Sequence, residues 1–500
     1  MLSRALLLAI SLLLILVSYP GAGFPLLVCI AVAPALIATA GLKPLTSALV
    51  LGLWALGWWS TVLWWAIPSL TNFTDASELV SILLITLVCF FLALPYALSA
   101  FAIAYFKLWN SPFSLVQIPL LFAVFISLCS SILPAAPVNA LFEYPVLLQL
   151  ADIGGLSLLV FLYFTFNAAI ASVFIHKKRR RTCAVSVCFI LPLVVLSYGY
   201  SQVSLEEGTP ATKMTIGYIQ PLARSEDKLS SLIAQTRKLK QESAQVELII
   251  WPEVPVDFSW HDTQYERYRI RKLAQELNTH LIILPGYHYA NGENSDGGHF
   301  NSANFIDNEG EAIAEYRKQK LVPFFEYVPF KEHLAPYFPN ARDYIAGKQA
   351  ASFHYKGLTL APLICYEALF TDLVRPYIDK GADIIINPGN DGWFGEVGAL
   401  SHLSLAMLRS IEYRIPLIRV NNSGVSTVIN RKGEIIFETL STLDTHATKV
   451  FTLDIPNSKR TFFYQYGEIL NLLSVLFLGL SLLLKRRHLN SRDEKITIKD

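Results

Sequence analysis

Between Glu78 and Lys107 no charged side chain interrupts the sequence, and this stretch limits the fold more than any other feature. A run of that length is stable as a helix in lipid, where each backbone amide is satisfied within its own segment. Comparable runs give candidate spans at 5–19, 24–41, 45–67, 78–106, 113–135, 154–176 and 182–200, with an eighth at 468–484. The first two are short for a full crossing and fit a tilted, paired or partly interfacial placement. Residues 1–23 also fit a cleaved leader, with Arg4 as its charged end and Gly21-Ala22-Gly23 as the small-residue site; the polytopic run behind them favours an uncleaved first helix. Hydrophobic residues make up 53% of the 500 positions and charged ones 16%, with mean hydropathy +0.42. A membrane bundle of about eight transmembrane helices is therefore expected.

The remaining charges set an orientation. Arg4, Lys43, Lys107, the run Lys177-Lys178-Arg179-Arg180-Arg181 and Lys485-Arg486-Arg487 all fall on one face of these spans. The loops on the other face, 68–77 and 136–153, carry Asp75, Glu143 and Asp152 but no lysine or arginine. With the positive face in the cytoplasm, residues 1–204 hold seven spans, 205–465 form an extracytoplasmic domain, 466–484 return through the membrane, and 485–500 are a basic cytoplasmic tail. The net charge of +2 comes from residues clustered at membrane boundaries, which excludes a nucleic-acid patch.

The 205–465 segment alternates strand and helix patterns. Strands are expected at 213–220, 247–251, 280–285, 301–306, 357–364, 383–387 and 416–421, several as continuous apolar runs of the kind found in sheets covered on both faces. Helical spacing occupies 225–242, 264–278, 370–380 and 400–414, and turn signals at 307–310 and 430–433 mark hairpins. A layered α/β fold follows.

Five cysteines (Cys29, Cys89, Cys129, Cys183, Cys188) lie in apolar runs and read as small buried hydrophobes. Cys365 does not. It follows a short apolar strand and precedes a helical stretch, so nearby N–H groups would favour thiolate and oxyanion alike; a buried core cysteine is the competing reading. Outside the cytoplasm it has no disulfide partner in its own domain, and a lone free thiol in an oxidising compartment generally has a task.

Three further segments accompany it: Glu247-Leu-Ile-Ile-Trp-Pro-Glu253, Tyr316-Arg-Lys-Gln-Lys-Leu-Val-Pro-Phe-Phe-Glu326 and Asn387-Pro-Gly-Asn-Asp-Gly-Trp-Phe-Gly395. A carboxylate near a thiol can take its proton, and a lysine can stabilise thiolate and oxyanion. Taken singly, Glu253 reads equally as an exposed loop carboxylate and Lys318 as a solvated hairpin lysine. Together, in this order, the segments resemble the carbon–nitrogen hydrolase (nitrilase) superfamily, which implies an αββα sandwich with Glu253 as general base, Lys318 as catalytic lysine and Cys365 as nucleophile. The pattern Tyr-x-Lys-x-x-Leu selects Lys318 over Lys320. With seven helices before the domain and one after it, the chain is similar to the apolipoprotein N-acyltransferase family, most closely at 321–329, 364–367, 390–394 and 421–424.

That resemblance implies a ping-pong reaction. The cysteine takes an acyl chain from a phospholipid, typically phosphatidylethanolamine, as a thioester, and the α-amine of a diacylglyceryl-cysteine on an apolipoprotein then receives it. It also implies a monomeric enzyme of the bacterial inner membrane with its catalytic domain in the periplasm. Glu326, Tyr366 and Glu367 become further functional positions, with the Tyr366 N–H as an oxyanion donor. Trp393 and Phe394, like the aromatic residues after Lys318 (Phe324, Phe325, Tyr327, Phe330, Tyr337, Phe338, Tyr344), suit either a membrane interface and acyl-chain lid or packing on the domain's own core. No metal cluster or cofactor motif appears, so no cofactor is expected.

The chain also departs from the family. Phe325 stands where members usually carry glycine, a tryptophan usual after the strand ending at Gln220 is missing, and the loop near 136–143 lacks the usual Glu, Arg and Pro-Trp pattern. A membrane-anchored amidase, or a paralogue with another acyl acceptor, is thus the alternative. Transport is disfavoured, because the spans hold almost no ionisable residues.

Overall fold

The computed structural model describes residues 3–205, 212–221, 227–256, 258, 260, 263–285, 288–289, 299–441, 446–455 and 460–497. The chain divides into two compact units: Met1–Trp64, Leu84–Ser204 and Arg460–Asp500 in one, and Trp65–Leu83 with Leu205–Lys459 in the other.

The first unit is helical. Among the described residues four helices are long and apolar enough to cross a membrane: Pro44–Val62, Glu78–Tyr105, whose residues from Leu84 on belong to this unit, Ala151–Ile175 and Arg179–Val203. Four shorter apolar helices accompany them, at Arg4–Val17, Pro25–Thr39, Ser114–Leu128 and Ile469–Lys485. Several expected spans are thus revised. The 113–135 run stops at Leu128, and the 24–41 run breaks into Pro25–Leu27, Val28–Ala31 and Ala33–Thr39. Pro34 accounts for part of the break, because proline cannot donate an i→i−4 bond. Asn167 accounts for the rest: its Oδ1 accepts from the Val32 and Ala33 amides at 3.1 and 2.8 Å, and its Nδ2 donates to the Cys29 carbonyl at 3.0 Å. Irregular backbone in an apolar bundle survives only with such substitutes.

Leu79, Leu83, Leu87 and Phe90 stay exposed along one face of Glu78–Tyr105, a stripe suited to lipid. The loop at 136–153 is not open: it coils into two 3-10 turns, and Asp152 is buried, accepting from the Tyr198 hydroxyl at 2.8 Å. The last helix runs Phe462–Thr497, so the basic residues after 484 continue it.

The second unit has two six-stranded sheets. In spatial order the first runs Ala447–Ile455, Thr212–Gln220, Leu248–Glu253, His280–Leu284, Ser302–Ile306 and Ala312–Arg317. The second runs Ile435–Ser441, Gly424–Ile429, Leu417–Asn421, Ile384–Gly389, Leu358–Pro362 and Phe353–Tyr355. In each, the central strands are parallel and antiparallel strands flank them. Leu248–Glu253 packs across the sheet interface on Ile384–Gly389 and Leu417–Asn421. Both of its faces are therefore covered, which explains its continuous apolar pattern.

Lys228–Glu242 and Gln264–Leu277 cover the outer face of the first sheet, burying Leu232, Ile270 and Leu273 against Ile249 and Leu281. Truncating one of these to alanine is expected to cost about 2–5 kcal/mol. Trp251 fixes the layer further, donating from Nε1 to Thr236 Oγ1 at 3.1 Å.

The expected 400–414 helix is two, Gly395–Ala406 and Leu408–Tyr413. Strands at Ala312–Arg317, Phe353–Tyr355, Gly424–Ile429, Ile435–Ser441 and Ala447–Ile455 are absent from the expected set, although Phe451-Thr-Leu-Asp-Ile455 alternates apolar and polar residues. The largest revision is Trp65–Leu83. By its sequence this stretch is the end of one span, a loop and the start of the next span, yet it carries its own helix, Ala66–Thr74, and belongs with the α/β unit.

Candidate active site

Parallel α/β sheets place functional groups at the carboxyl ends of their strands, where chain reversals expose side chains and free amides. Glu253 ends Leu248–Glu253, Lys318 follows Ala312–Arg317, Cys365 follows Leu358–Pro362, and Asn390 follows Ile384–Gly389. All four line one pocket, together with Phe73, Val254, Asn301, Val322, Phe325, Glu326, Arg342, Tyr344 and Phe394.

The centre of the pocket is a buried ion cluster. Lys318 Nζ lies 3.1 Å from Glu253 Oε1 and 2.8 Å from Glu326 Oε1, with the lysine side chain 1% exposed. Asn301 Nδ2 bridges the same two carboxylates at 2.7 and 3.2 Å, and Glu326 Oε2 accepts from the Val322 amide at 2.8 Å. These positions exclude the solvated-lysine and exposed-carboxylate readings. Burial alone would lower the Lys318 pKa, but Glu253 and Glu326 outweigh it and hold the ammonium well above its ordinary value. Burial raises the Glu326 carboxyl, against the pull of Lys318. Lys320 lies elsewhere, its Nζ over the Phe370 ring at 3.8 Å.

The cysteine departs from expectation in one respect. Cys365 opens the 3-10 turn Cys365–Leu369 with φ of 52°, as expected for a thiol at a sharp strand-to-helix reversal. Its pKa, however, is pushed well up by burial, with Glu253 adding to the rise and Lys318 opposing it. The nearby amides do not make a resting thiolate; the group rests as a thiol.

Glu367 ties the cysteine turn to the lysine loop. Its Oε1 accepts from the Tyr316 hydroxyl, the Gln319 amide and the Lys320 amide at 2.8, 2.6 and 3.1 Å, and its Oε2 from the Ile364 amide at 2.7 Å. Tyr366 is half-buried, stacked edge-on against Phe370 at 4.7 Å.

Aromatic side chains close the pocket wall. Phe73 pairs with Phe325 at 5.6 Å and Trp65 with Phe394 at 5.0 Å, so the Ala66–Thr74 helix and the residue before it supply one ring to each pair. Asn340 holds that helix end, its amide donating to the Thr74 carbonyl at 3.1 Å and its side chain to Asp75. Of the segment after Lys318, Phe338 and Tyr344 are buried while Phe330 and Tyr337 stand exposed, so it is divided between core and surface. The Trp393 side chain lies outside the described residues.

Behind the cysteine lies a second network that sequence reasoning misses. Arg419 bonds both oxygens of Asp391 at 2.9 and 2.7 Å, and His402 Nδ1 lies 2.8 Å from Asp391 Oδ1. Despite burial, Arg419 and His402 bring the Asp391 carboxyl below its ordinary value, while burial and Arg419 lower the His402 imidazole. A lone arginine in an otherwise apolar strand is the available signal. Cys365, Asp391 and His402 offer metal-ligand atoms within 4.8 Å of one another. Since Arg419 occupies both Asp391 oxygens, this donor set does not suit a cation.

The comparisons with known proteins bear on these features. The model for the apolipoprotein N-acyltransferase N-terminal domain matches residues 11–169, and the carbon-nitrogen hydrolase model matches 219–460. The chain belongs to the apolipoprotein N-acyltransferase family. It is an acyltransferase-family chain with a nitrilase-like domain and several apolar helices. A family relative from Geobacter metallireducens is 27% identical over 443 residues, 84% of each chain. One from Rhizobium leguminosarum bv. trifolii is 31% identical over 333 residues, 61% of this chain and 62% of the relative. Among solved structures, an amidase from Nesterenkonia sp. AN1 covers 49% of this chain and 93% of its own at 21% identity and TM-score 0.38. A carbon-nitrogen hydrolase from Helicobacter pylori G27 covers 48% and 89% at 16% identity and TM-score 0.39.

Proposed function

We propose that this chain transfers an acyl group from a phospholipid, through a thioester on Cys365, to the α-amine of an N-terminal diacylglyceryl-cysteine on an apolipoprotein. The observation that carries this reading is that a buried thiol shares one pocket with the Glu253–Lys318–Glu326 cluster, in a chain of this family.

In the first half-reaction the Cys365 thiol gives its proton to Glu253 while sulfur attacks the ester carbonyl. Lys318 and the Tyr366 N–H stabilise the oxyanion. Collapse breaks the ester C–O bond, and the lysophospholipid oxygen leaves with the proton from Glu253. In the second, the amine attacks the thioester, its proton passes to Glu253, and the departing sulfur is reprotonated. Glu326, bound through both oxygens, holds Lys318 in place, whereas Glu253 is bonded to Lys318 and Asn301 through Oε1. This is why the base is assigned to Glu253. Phe394 lines the acyl path with Phe73 and Phe325, and Trp393 is assigned to the same path from its sequence motif.

Eight crossings with the basic loops inside put the catalytic domain on the periplasmic side of the inner membrane, in reach of phosphatidylethanolamine and of lipoprotein acceptors. The enzyme acts as a monomer and needs no cofactor. The test is the purified protein in detergent with phosphatidylethanolamine: mass spectrometry should find an acyl thioester on Cys365 that Cys365→Ala lacks. Free fatty acid as sole product, with no N-acylated lipopeptide, would identify an amidase-like hydrolase instead.

A further inference from the structure

Cys365 occupies the left-handed region, at φ 52°, which a residue with a Cβ seldom adopts. The turn is held by its carbonyls. Asn387 Nδ2 donates to the Leu363 carbonyl at 2.6 Å and the Cys365 carbonyl at 3.0 Å, one on each side of Ile364. A carboxamide can present either end, so something must choose. Arg419 chooses: its Nη1 donates to Asn387 Oδ1, and a guanidinium has no lone pair to offer the other end. Asp391 grips Arg419 through both oxygens, and His402 braces Asp391 in turn. Every member of this network is buried, and none of Asn387, Arg419 and His402 lines the pocket.

We propose that Asn387 and Arg419 are a positioning pair: Arg419 orients the Asn387 amide, and the amide holds the Cys365 turn in the conformation that brings the thiol into the pocket with Lys318 and Glu253. Asp391 and Arg419 act on the Cys365 thiol in opposite directions, and the network's action is through the geometry of the turn.

This rests on Cys365 as the nucleophile, and two assays separate the two ideas. Asn387→Asp keeps the side-chain shape and can pair with Arg419, but offers two carbonyls an acceptor in place of two donors. The folded variant, checked by melting temperature, should alkylate at Cys365 with iodoacetamide more slowly than wild type, read by peptide mass spectrometry. Thioester formation from phosphatidylethanolamine should fall on the order of 100-fold, with donor KM unchanged. Should Asn387→Asp fail to fold, Arg419→Met and Arg419→Lys replace it, with lysine restoring part of the rate that methionine loses. Wild-type alkylation in the folded Asn387→Asp protein, or equal rates in the two Arg419 variants, overturns the proposal. A wild-type protein that alkylates at Cys365 faster than Asn387→Asp but forms no thioester refutes the acyl-transfer reading alone.

Discussion

Replacing Glu367 by glutamine tests the link between the cysteine turn and the lysine loop. Four donors converge on this fully buried carboxyl, which favours ionisation, yet burial is larger and pushes its pKa up to about 7 from 4.5. A carboxyl raised in the folded state stabilises the fold fully below its unfolded pKa, and that contribution is lost as pH rises through the folded value. The shift of about 2.5 pH units corresponds to roughly 3 kcal/mol between pH 4.5 and 7. The substituted glutamine cannot titrate, and its NH2 group would face donors that one carboxyl oxygen now satisfies, leaving a buried amide unpaired at about 1–3 kcal/mol. The assay is thermal melting of both proteins in detergent from pH 4 to 8. The wild-type advantage should shrink by roughly 6–12 °C between pH 4.5 and 7 and then stay level. Parallel curves across that window would refute the reasoning, since all other groups titrate alike in both proteins.

Lys318→Met leaves Glu253 and Glu326 buried without a counter-ion; it should cost about 3–5 kcal/mol of stability and abolish acylation, whereas Lys320→Met, which removes an ammonium placed over Phe370, should retain most activity. Melting and thioester yield measured on both variants check the pair. Phe325→Gly removes the ring that packs on Phe73 in the pocket wall, so it should raise the rate with branched-chain acyl donors relative to straight ones. Competition between phospholipids of the two kinds measures that ratio, and an unchanged ratio would mean the ring does not bound the acyl path.

The main outline is legible because it follows from local pattern. Apolar runs mark the helical region, and the turn signals at 307–310 and 430–433 do join paired strands, although of those four strands only Ser302–Ile306 is itself in the expected set. Glu253, Lys318 and Cys365 are found through short motifs at strand ends. What stays hidden depends on distance along the chain. Phe73 meets Phe325 from some 250 positions away, and no periodicity within 65–83 announces that the Ala66–Thr74 helix belongs to the α/β unit. Arg419 and Asp391 sit in segments whose local character is plain, a strand and a motif, but their pairing with Asn387 and His402 exists only in three dimensions. Burial sets the protonation of Cys365 in the same way: local amides argue for a thiolate, and the surrounding fold reverses the balance.

That reversal has a consequence for how the site would work. A thiolate at rest would be the species most open to oxidation in an oxidising compartment, and a group pushed well above its ordinary pKa is instead kept as the less reactive thiol. Reactivity then has to be created on binding. An ester carbonyl entering between Cys365 and Lys318 excludes remaining water and gives the ammonium a developing negative charge to stabilise, in a setting where that attraction is stronger than in water. Lys318 is already held by Glu253 and Glu326, so the site loses little in reorganising when the charge appears. On this argument the cluster serves the transition state and leaves the free thiol quiescent. Slow alkylation of Cys365 at neutral pH is therefore expected in the same enzyme that acylates readily.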